Sequence, residues 1–456
     1  MKIGFLPFYV DYYEGICASF PAEKLANARR CADALAVYGE VCWDGELIQD
    51  RDQAAETGRS LCEQEVDCAV VFTSIAVFGG ISFAALEELD VPILIWNAQQ
   101  IQSVGPDYST EEIVRNTVQI GTQALANTLM RHGRWFRVVT GYEQSARTAE
   151  ELRRFFGAIK AVHAVRKARL LAIGAGFPMM TDIVIDEEAL KRDLGTTVIH
   201  ITAQELTRRY EETPATALDH ARIEELSADE AQRSARLSHV LQSLVEEHHA
   251  DAGTLNCHGE VCLQNPAIGI TACYALGEQN SQGRPFACTG DLPTAIAMLI
   301  MKVLSGVALY TEVQVMDEAR GAIVIANSGE GEEAIRRRNT ESVVRGNASF
   351  TGCHGKGASF SYPLEPDPAT LVSFTPSPCG ARPYRLIVAE GHILDDVLPG
   401  AGGVAGYFMF SDEDFHGAYT RWMEAGAVHH AATSLGHWTR ELKTIAELLN
   451  IDYVEV

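Results

Sequence analysis

The apolar stretch CAVVF at residues 68–72 decides the fold of the first third of the chain. An unbroken run of small and β-branched apolar residues is typical of a parallel strand that is covered on both faces. The stretches VPILIW at 91–96 and RVVTG at 137–141 repeat the pattern, and helical segments are predicted between them. This alternation of strand and helix predicts an open α/β sheet, which binds ligands beyond the carboxyl ends of its strands.

A second series of alternating strands and helices begins near residue 168. Its strands are predicted at 169–174 (RLLAIG), 196–201 (TTVIHI) and 252–257 (AGTLNC), and helices are predicted at 227–247 and 291–304. We place Pro293 in the first turn of the last helix, where proline is tolerated. The pattern predicts a second α/β domain.

From about residue 321, glycines, threonines and short β-runs replace the long helices. The runs ATLVSF at 369–374 and YRLIVA at 384–389 are separated by turn residues, which predicts paired strands. We therefore predict an α/β fold of two open, Rossmann-like domains, at 1–166 and 167–318. A small antiparallel β-domain is predicted to follow at 319–456, with a closing helix.

The composition excludes several classes of partner. The 456 residues include 37 Lys and Arg against 61 Asp and Glu, a formal net charge of -24. Binding nucleic acid through its phosphates requires a basic face, and the only tight basic run is at 336–338. No stretch reaches the ~20 apolar residues of a membrane span, and the 11 cysteines form no C-x-x-C pair. We expect a cytoplasmic protein without nucleic-acid or membrane partners.

Four polar groupings lie where a site is expected. They are NCHGE at 256–260, CTGD at 288–291, VMDE at 315–318 and AGAVHHAATSLGH at 425–437. His258 and Glu260 could both reach a metal or a sugar hydroxyl. Asp317 is a candidate ligand for a hard divalent cation, and neutral imidazole, as in His430, is the commonest protein metal ligand.

Each grouping also has a structural interpretation that the sequence leaves open. Thr289 or Asp291 can cap the helix that follows, because hydroxyl and acidic groups stabilise a helix N-terminus. Asp317 can belong to a solvated turn, and a single histidine is often structural. The segment TGCHGKG at 351–357 is not a Walker loop, because its Lys is not followed by Ser or Thr. His354 within it is a candidate site residue.

The order of these groupings resembles the L-arabinose isomerase and L-fucose isomerase superfamily. The segment WMEAGAVHH at 422–430, with GH at 436–437 and a helix after it, resembles the family's closing pattern. Residues 290–305 are similar to its Glu-x-Asp motif and the following helix, and residues 370–374 and 385–391 resemble paired strands of its C-terminal domain. The similarity is diffuse but runs nearly end to end.

The resemblance implies an enzyme that interconverts aldoses and ketoses. In the family a divalent metal, usually manganese, holds neighbouring sugar oxygens while carboxylates move protons between C1 and C2. Its sites form between subunits of trimers or hexamers. Carried over to this chain, it implies that His430 and Asp317 hold the metal and that Asp291 is catalytic. The side chains expected to contact the sugar are those of His258, Thr289, Asn116 and His354.

Two positions depart from the family pattern. Thr289 stands where the family has the glutamate of its Glu-x-Asp motif, and a family histidine falls near Ser328. In one interpretation Glu260 supplies the missing carboxylate, and the protein is a metal-dependent sugar isomerase or an epimerase. In the other, the fold serves a different sugar reaction, such as that of a lyase or hydrolase, or only binds a sugar as a regulatory protein.

Overall fold

The computed structural model describes residues 1–347, 356–377, 379–398 and 400–456 and contains two compact units, Met1–Ile159 and Lys160–Val456. The unit boundary lies near the predicted boundary at 166. The second unit holds two sheets in one compact body, so the predicted division at 318 stays a prediction. None of the helices in these residues combines the length and apolar character needed to cross a membrane.

The first unit is built on a parallel sheet. Its strands are β1 (Lys2–Phe8), β2 (Glu40–Cys42), β3 (Cys68–Thr73), β4 (Ile93–Gln99) and β5 (Phe136–Tyr142). Its helices are α1 (Phe20–Leu35), α2 (Arg51–Glu63), α3 (Gly79–Ala84), α4 (Thr110–Arg115), α5 (Val118–Arg131) and α6 (Ala146–Lys167), the last of which continues past residue 159. The strand order is β2-β1-β3-β4-β5, and each neighbouring pair is parallel. Every residue of β3 is buried, as its apolar sequence predicts.

The second unit begins with another parallel sheet. The strands of this region are β6 (Arg169–Ile173), β7 (Thr197–Ile201), β8 (Ile223–Glu224), β9 (Ala252–Leu255) and β10 (Phe286–Cys288). Its helices are α7 (Glu187–Leu194), α8 (Ala203–Glu212), α9 (Ala228–His248), α10 (Cys273–Ser281) and α11 (Leu292–Ser305). In the order β10-β9-β6-β7, the chain adds β7 on one side of β6 and then β9 and β10 on the other side. Open α/β sheets form their ligand crevices at such a switch point, here between β6 and β9. Pro293 lies in the first turn of α11, as predicted.

The remaining strands form a β-rich sheet that packs around its own apolar core. They are β11 (Leu309–Asp317), β12 (Ala322–Asn327), β13 (Val343–Gly346), β14 (Ala358–Pro363), β15 (Pro368–Pro376), β16 (Tyr384–Ile393), β17 (Val404–Phe410), β18 (His430–Leu435) and β19 (Asp452–Glu455). Two helices accompany them, α12 (Phe415–Glu424) and α13 (Thr439–Leu449). The predicted pairing of residues 369–374 with residues 384–389 is confirmed, because β15 and β16 pair antiparallel.

The β-rich sheet closes on itself. Its order is β19-β16-β15-β18-β11-β12-β17-β14-β13-β8, and β16 also pairs with β17. The strands from β16 through β17 therefore form an antiparallel barrel. The predicted C-terminal β-domain is present in outline, but this sheet already begins at β11 and also recruits β8. Closure satisfies strand edges that would otherwise stay unpaired, and it places β11 beside β18.

Candidate functional site

The site is centred on His430, the first residue of β18. His430 is a direct cross-strand neighbour of Glu312 in β11, and its Nε2 lies 3.6 Å from Glu312 Oε1. On the other side, its Nδ1 lies 2.7 Å from Asp291 Oδ2. Because a carboxylate can only accept, Nδ1 donates to Asp291, and this bond fixes the ring with Nε2 facing Glu312. His430 and Asp291 are both buried, whereas the Glu312 side chain is 33% exposed.

Asp291 is also the N-cap residue of helix α11. Its Oδ1 accepts from Thr294 N at 2.8 Å, and its Oδ2 accepts from Thr294 Oγ1 at 2.6 Å as well as from His430. The sequence predicted that Thr289 or Asp291 caps this helix, and the cap is Asp291. The contact between Asp291 and the His430 ring was not predicted. With both carboxylate oxygens engaged and no exposed surface, Asp291 is suited to positioning His430 rather than to exchanging protons with a substrate.

Two residues in the left-handed region carry the chain from β10 into α11. Thr289 has a φ of 56° and Gly290 a φ of 85°. A Cβ on Gly290 would lie 2.5 Å from the Cα of Gly176, so the loop after β6 leaves room only for glycine. Phe177 N donates to the Thr289 carbonyl at 2.9 Å. A β-branched residue is strained in this conformation, and such strain is concentrated at functional sites.

Three buried polar groups near this centre have no hydrogen-bond partner among the described residues. They are Thr289 Oγ1, Tyr310 Oη and Glu330 Oε2. The Tyr310 ring lies 4.7 Å from the His430 ring, and Glu330 Oε1 accepts a 3.5 Å bond from Cys273. Burial raises the pKa of Glu330, and burial together with neighbouring ionisable groups raises that of Tyr310. Unpaired buried groups each cost about 1–3 kcal/mol, so a bound ligand would stabilise this region.

A cavity of about 630 Å³ opens in the crevice where β6 and β9 end. Asn256 fixes one wall, because its Nδ2 donates to the Ala175 carbonyl at 2.8 Å. The His258 ring packs edge-on against Phe177 with centroids 5.0 Å apart, and burial lowers the pKa of His258. Since Phe177 also bonds to Thr289, the loop after β6 contacts both the cavity and the turn that leads to Asp291.

Comparison with known proteins agrees with this architecture. A family model described as the L-arabinose isomerase C-terminal domain matches residues 312–452, a range that includes Glu312, Glu330 and His430. Sulfoquinovose isomerase from Priestia aryabhattai is 21% identical over 384 residues, covering 80% of each chain. Sulfoquinovose isomerase from Alkalicoccus urumqiensis is 22% identical over 402 residues, covering 85% of this chain and 86% of the relative.

These matches support the resemblance of the chain to a divergent member of the L-arabinose and L-fucose isomerase superfamily. These matches support a sugar isomerase in general. A solved periplasmic solute-binding protein of an ABC transporter from Actinobacillus succinogenes 130z, with bound D-allose, covers 66% of this chain and 91% of its own at 13% identity. Its TM-score of 0.14 is too low to carry an argument.

Two of the carboxylates predicted for the site, Asp317 and Glu260, are not those that contact His430, which are Asp291 and Glu312. Asp317 is at the far end of β11, where it accepts from Arg320 N at 3.0 Å and from Arg320 Nη1 at 2.9 Å. These bonds lower the pKa of Asp317. Glu260 is exposed, because the chain turns into a short 3-10 helix at Gly259–Val261. We therefore replace both residues in the candidate site, Asp317 by Glu312 and Glu260 by Glu330.

The four residues predicted to contact the sugar lie in different parts of the protein. Thr289 and His258 lie at the centre and at the cavity, as described above. Asn116 belongs to the first unit, where it follows the last residue of α4. Its Nδ2 donates at 2.8 Å both to Tyr108 Oη and to the Glu112 carbonyl. His354 lies outside the described residues. Two residues of this region, Glu312 and Glu330, were not predicted. Glu312 was signalled only as a carboxylate within an apolar β-run, and Glu330 only as one of several glutamates in the stretch SGEGEE at 328–333.

The donor set for a divalent metal is small. Across the described ranges, no three His, Cys, Asp or Glu side chains converge as metal ligands. Glu312 Oε1 and His430 Nε2, 3.6 Å apart, nevertheless offer a carboxylate and an imidazole on facing strands, donor types that bind manganese and related ions. These residues fit a cation that keeps most of its coordination sphere for water or sugar oxygens, as magnesium-type sites commonly do.

Proposed function

We propose that this protein is an aldose–ketose isomerase that acts on a monosaccharide or a monosaccharide derivative. The observation that carries the proposal is His430, held by buried Asp291 on one side and facing Glu312 on the other. Moving a hydrogen between neighbouring sugar carbons requires one group that takes and returns a proton. It also requires groups that hold the two sugar oxygens in a fixed position.

Glu312 is our candidate for proton transfer. It is the least enclosed carboxylate of the centre, so a sugar carbon can approach it, whereas Asp291 and Glu330 are buried. His430 Nε2 faces the same space and is suited to contacting a sugar oxygen. Burial raises the pKa of Glu330, which favours its protonated form as a hydrogen-bond donor.

We further propose that the reaction depends on a divalent cation, with Mn²⁺ the first to test. Glu312 and His430 would hold it, and it would polarise the sugar oxygens as a Lewis acid. Because only two protein ligands are assigned, we expect binding weak enough for dialysis to remove the metal. Restoration of activity by added Mn²⁺, measured together with bound metal, tests this dependence.

The central test is hydrogen exchange at C2 in deuterated water, followed over pentoses, hexoses and their deoxy and acidic derivatives. We predict that Glu312→Gln lowers turnover by about 10²–10⁴-fold, the usual contribution of a general acid–base group, with folding retained. The matched control is Glu318→Gln, which changes an exposed carboxylate just beyond the same strand. Full activity in Glu312→Gln would overturn the assignment, and no exchange on any sugar with Mn²⁺ would overturn the proposed function.

A second candidate function is sugar binding without isomerisation, or a different reaction on a sugar. It is favoured by Thr289 at the position of a family glutamate and by the two-residue donor set. Thermal shift with the same sugars separates binding from turnover, and product analysis separates ketose formation from epimerisation or cleavage. The trimer or hexamer implied by the family stays a prediction, which light scattering of the purified protein measures.

A further inference from the structure

The cavity at the ends of β6 and β9 has an unusual charge for this chain. The residues that line it are Ala175, Gly176, Phe177, Pro178, Asn256, His258, Gly259, Val261, Leu263, Gln264 and Lys356. The described lining residues include one lysine and one histidine and no aspartate or glutamate, although acidic residues outnumber basic ones by 61 to 37 in the whole sequence. The cavity is therefore a place that admits a negative charge on an acidic protein.

Lys356 is the basic residue among the described residues that line this cavity. Its backbone is anchored, because its carbonyl accepts from Thr271 N at 2.8 Å and from Thr271 Oγ1 at 3.1 Å. Its side chain is exposed and forms no ion pair with any residue that the structure describes. An ammonium group that is anchored at its base and unpaired at its tip can pair with an incoming anion.

His258 adds a neutral polar group to the same wall. Its ring nitrogens make no hydrogen bond within the described chain, while its backbone N–H donates to Asn256 Oδ1 at 3.2 Å. Burial lowers the pKa of the imidazole, so the ring is available as a neutral donor. Phe177 and Val261 add apolar walls to the cavity.

We propose that this cavity binds an anionic substituent of the sugar substrate, with Lys356 as its ion partner and His258 as a supporting donor. The inference rests on the proposed function, because it assigns the end of the substrate that lies away from the reacting carbons. The loop after β6 links the two places, since Phe177 lines the cavity and donates to Thr289 beside Asp291. A volume of about 630 Å³ falls in the range of small-molecule sites.

The test compares sugars that differ only in the group on C6: D-glucose, D-glucuronate, D-glucose 6-phosphate and 6-deoxy-6-sulfo-D-glucose. Calorimetric titration of the full chain should show at least one anionic sugar binding more than 10-fold more tightly than glucose. The three anions distinguish carboxylate, phosphate and sulfonate as the bound group. Equal binding of all four sugars would overturn the proposal.

Variants then assign the charge to Lys356. We predict that Lys356→Gln weakens binding of the preferred anionic sugar at least 10-fold and leaves glucose binding unchanged, whereas Lys356→Arg stays within about 3-fold because it keeps the charge. Lys443→Gln, on the exposed face of α13, is the matched control. An equal loss of affinity for charged and neutral sugars, or no loss of affinity at all, would show that Lys356 does not recognise the anionic group.

These outcomes separate the cavity from the isomerase reaction. If an anionic sugar binds through Lys356 but no sugar exchanges hydrogen at C2 in the presence of Mn²⁺, the cavity assignment stands and the proposed function fails. If only neutral sugars exchange, and Lys356→Gln changes nothing, the proposed function stands and the cavity assignment fails.

Discussion

The two parallel sheets of this protein place very different polar groups at the carboxyl ends of their strands. In the first sheet, neutral amides and hydroxyls of β4 and α5 satisfy one another. Asn97 donates to Gln119 Oε1 at 2.6 Å, Gln119 donates to Gln99 Oε1 at 3.1 Å, and Thr122 donates to Asn97 Oδ1 at 3.2 Å. In the second sheet the corresponding region holds ionisable side chains, and some of its polar atoms have no partner among the described residues.

The difference separates two uses of one architecture. A closed network of neutral groups rigidifies a sheet edge and has little left to offer a ligand. Unpaired groups such as Thr289 Oγ1 and Glu330 Oε2 lower the stability of the protein, and this cost is removed only when a ligand satisfies them. We therefore expect a substitution in the first network to change mainly the free energy of unfolding, and a substitution in the second to change mainly turnover.

The largest expected effect is that of Asn97→Asp. It would place a carboxylate in the buried neutral network and remove the amide donor to Gln119 and to Thr140. We predict that the free energy of unfolding falls by about 2–4 kcal/mol, because a buried charge that keeps only the hydroxyl donor of Thr122 is costly. Denaturant titration measures the loss. Gln123→Glu, an exposed change on helix α5, which carries Gln119 and Thr122, is the control and should shift stability by less than about 0.5 kcal/mol. Equal effects of the two changes would break the comparison.

Asp291→Asn tests the opposite region. The amide would keep the size of the side chain but lose the charged acceptor that orients His430. We predict a fall of about 10–100-fold in kcat/KM, the range seen when a group that orients a ligand residue is removed. Asp414→Asn makes the same change at the cap of α12, where Asp414 accepts from Gly417 N at 3.0 Å. Similar activity losses in both variants would mean that helix capping alone explains the result.

The smallest effect is expected for Thr289→Gly. Glycine adopts a φ of 56° without strain, and the change also removes an unpaired buried hydroxyl. We predict a gain of about 0.5–1 kcal/mol in the free energy of unfolding, accompanied by lower turnover if the hydroxyl contacts the sugar. Gly290→Ala should instead destabilise the protein, because its Cβ would meet Gly176. Thermal unfolding of both variants measures the contrast, and a loss of stability in Thr289→Gly would show that the hydroxyl has a structural partner.

The sequence predicted local features better than distant ones. The burial of residues 68–72 and the position of Pro293 follow from apolar pattern and backbone chemistry, which act over a few residues. The pairing of Glu312 with His430 joins residues far apart in the chain. Such a register is set by closure of the barrel, and nothing in the neighbouring residues reports it.

The predictions for Asp317 and Glu260 meet the same limit at the site. Asp317 lies on the same strand as Glu312, but a register shift between Val313 and Val315 interrupts the simple alternation of faces. Glu260 follows a strand end, where a site is expected, yet the backbone turns there and exposes it. Neither the register shift nor the backbone turn can be recognised from the residue types at these positions.

The register shift in β11 also has a practical consequence. It lies between the half of the strand that carries Glu312 and the half that ends in the exposed turn before Gly321. An irregularity of this kind absorbs changes in strand length locally. The turn at residues 318–321 is therefore the place to insert an epitope or a labelling peptide, since the added residues would extend into solvent while the pairing that holds Glu312 beside His430 is kept.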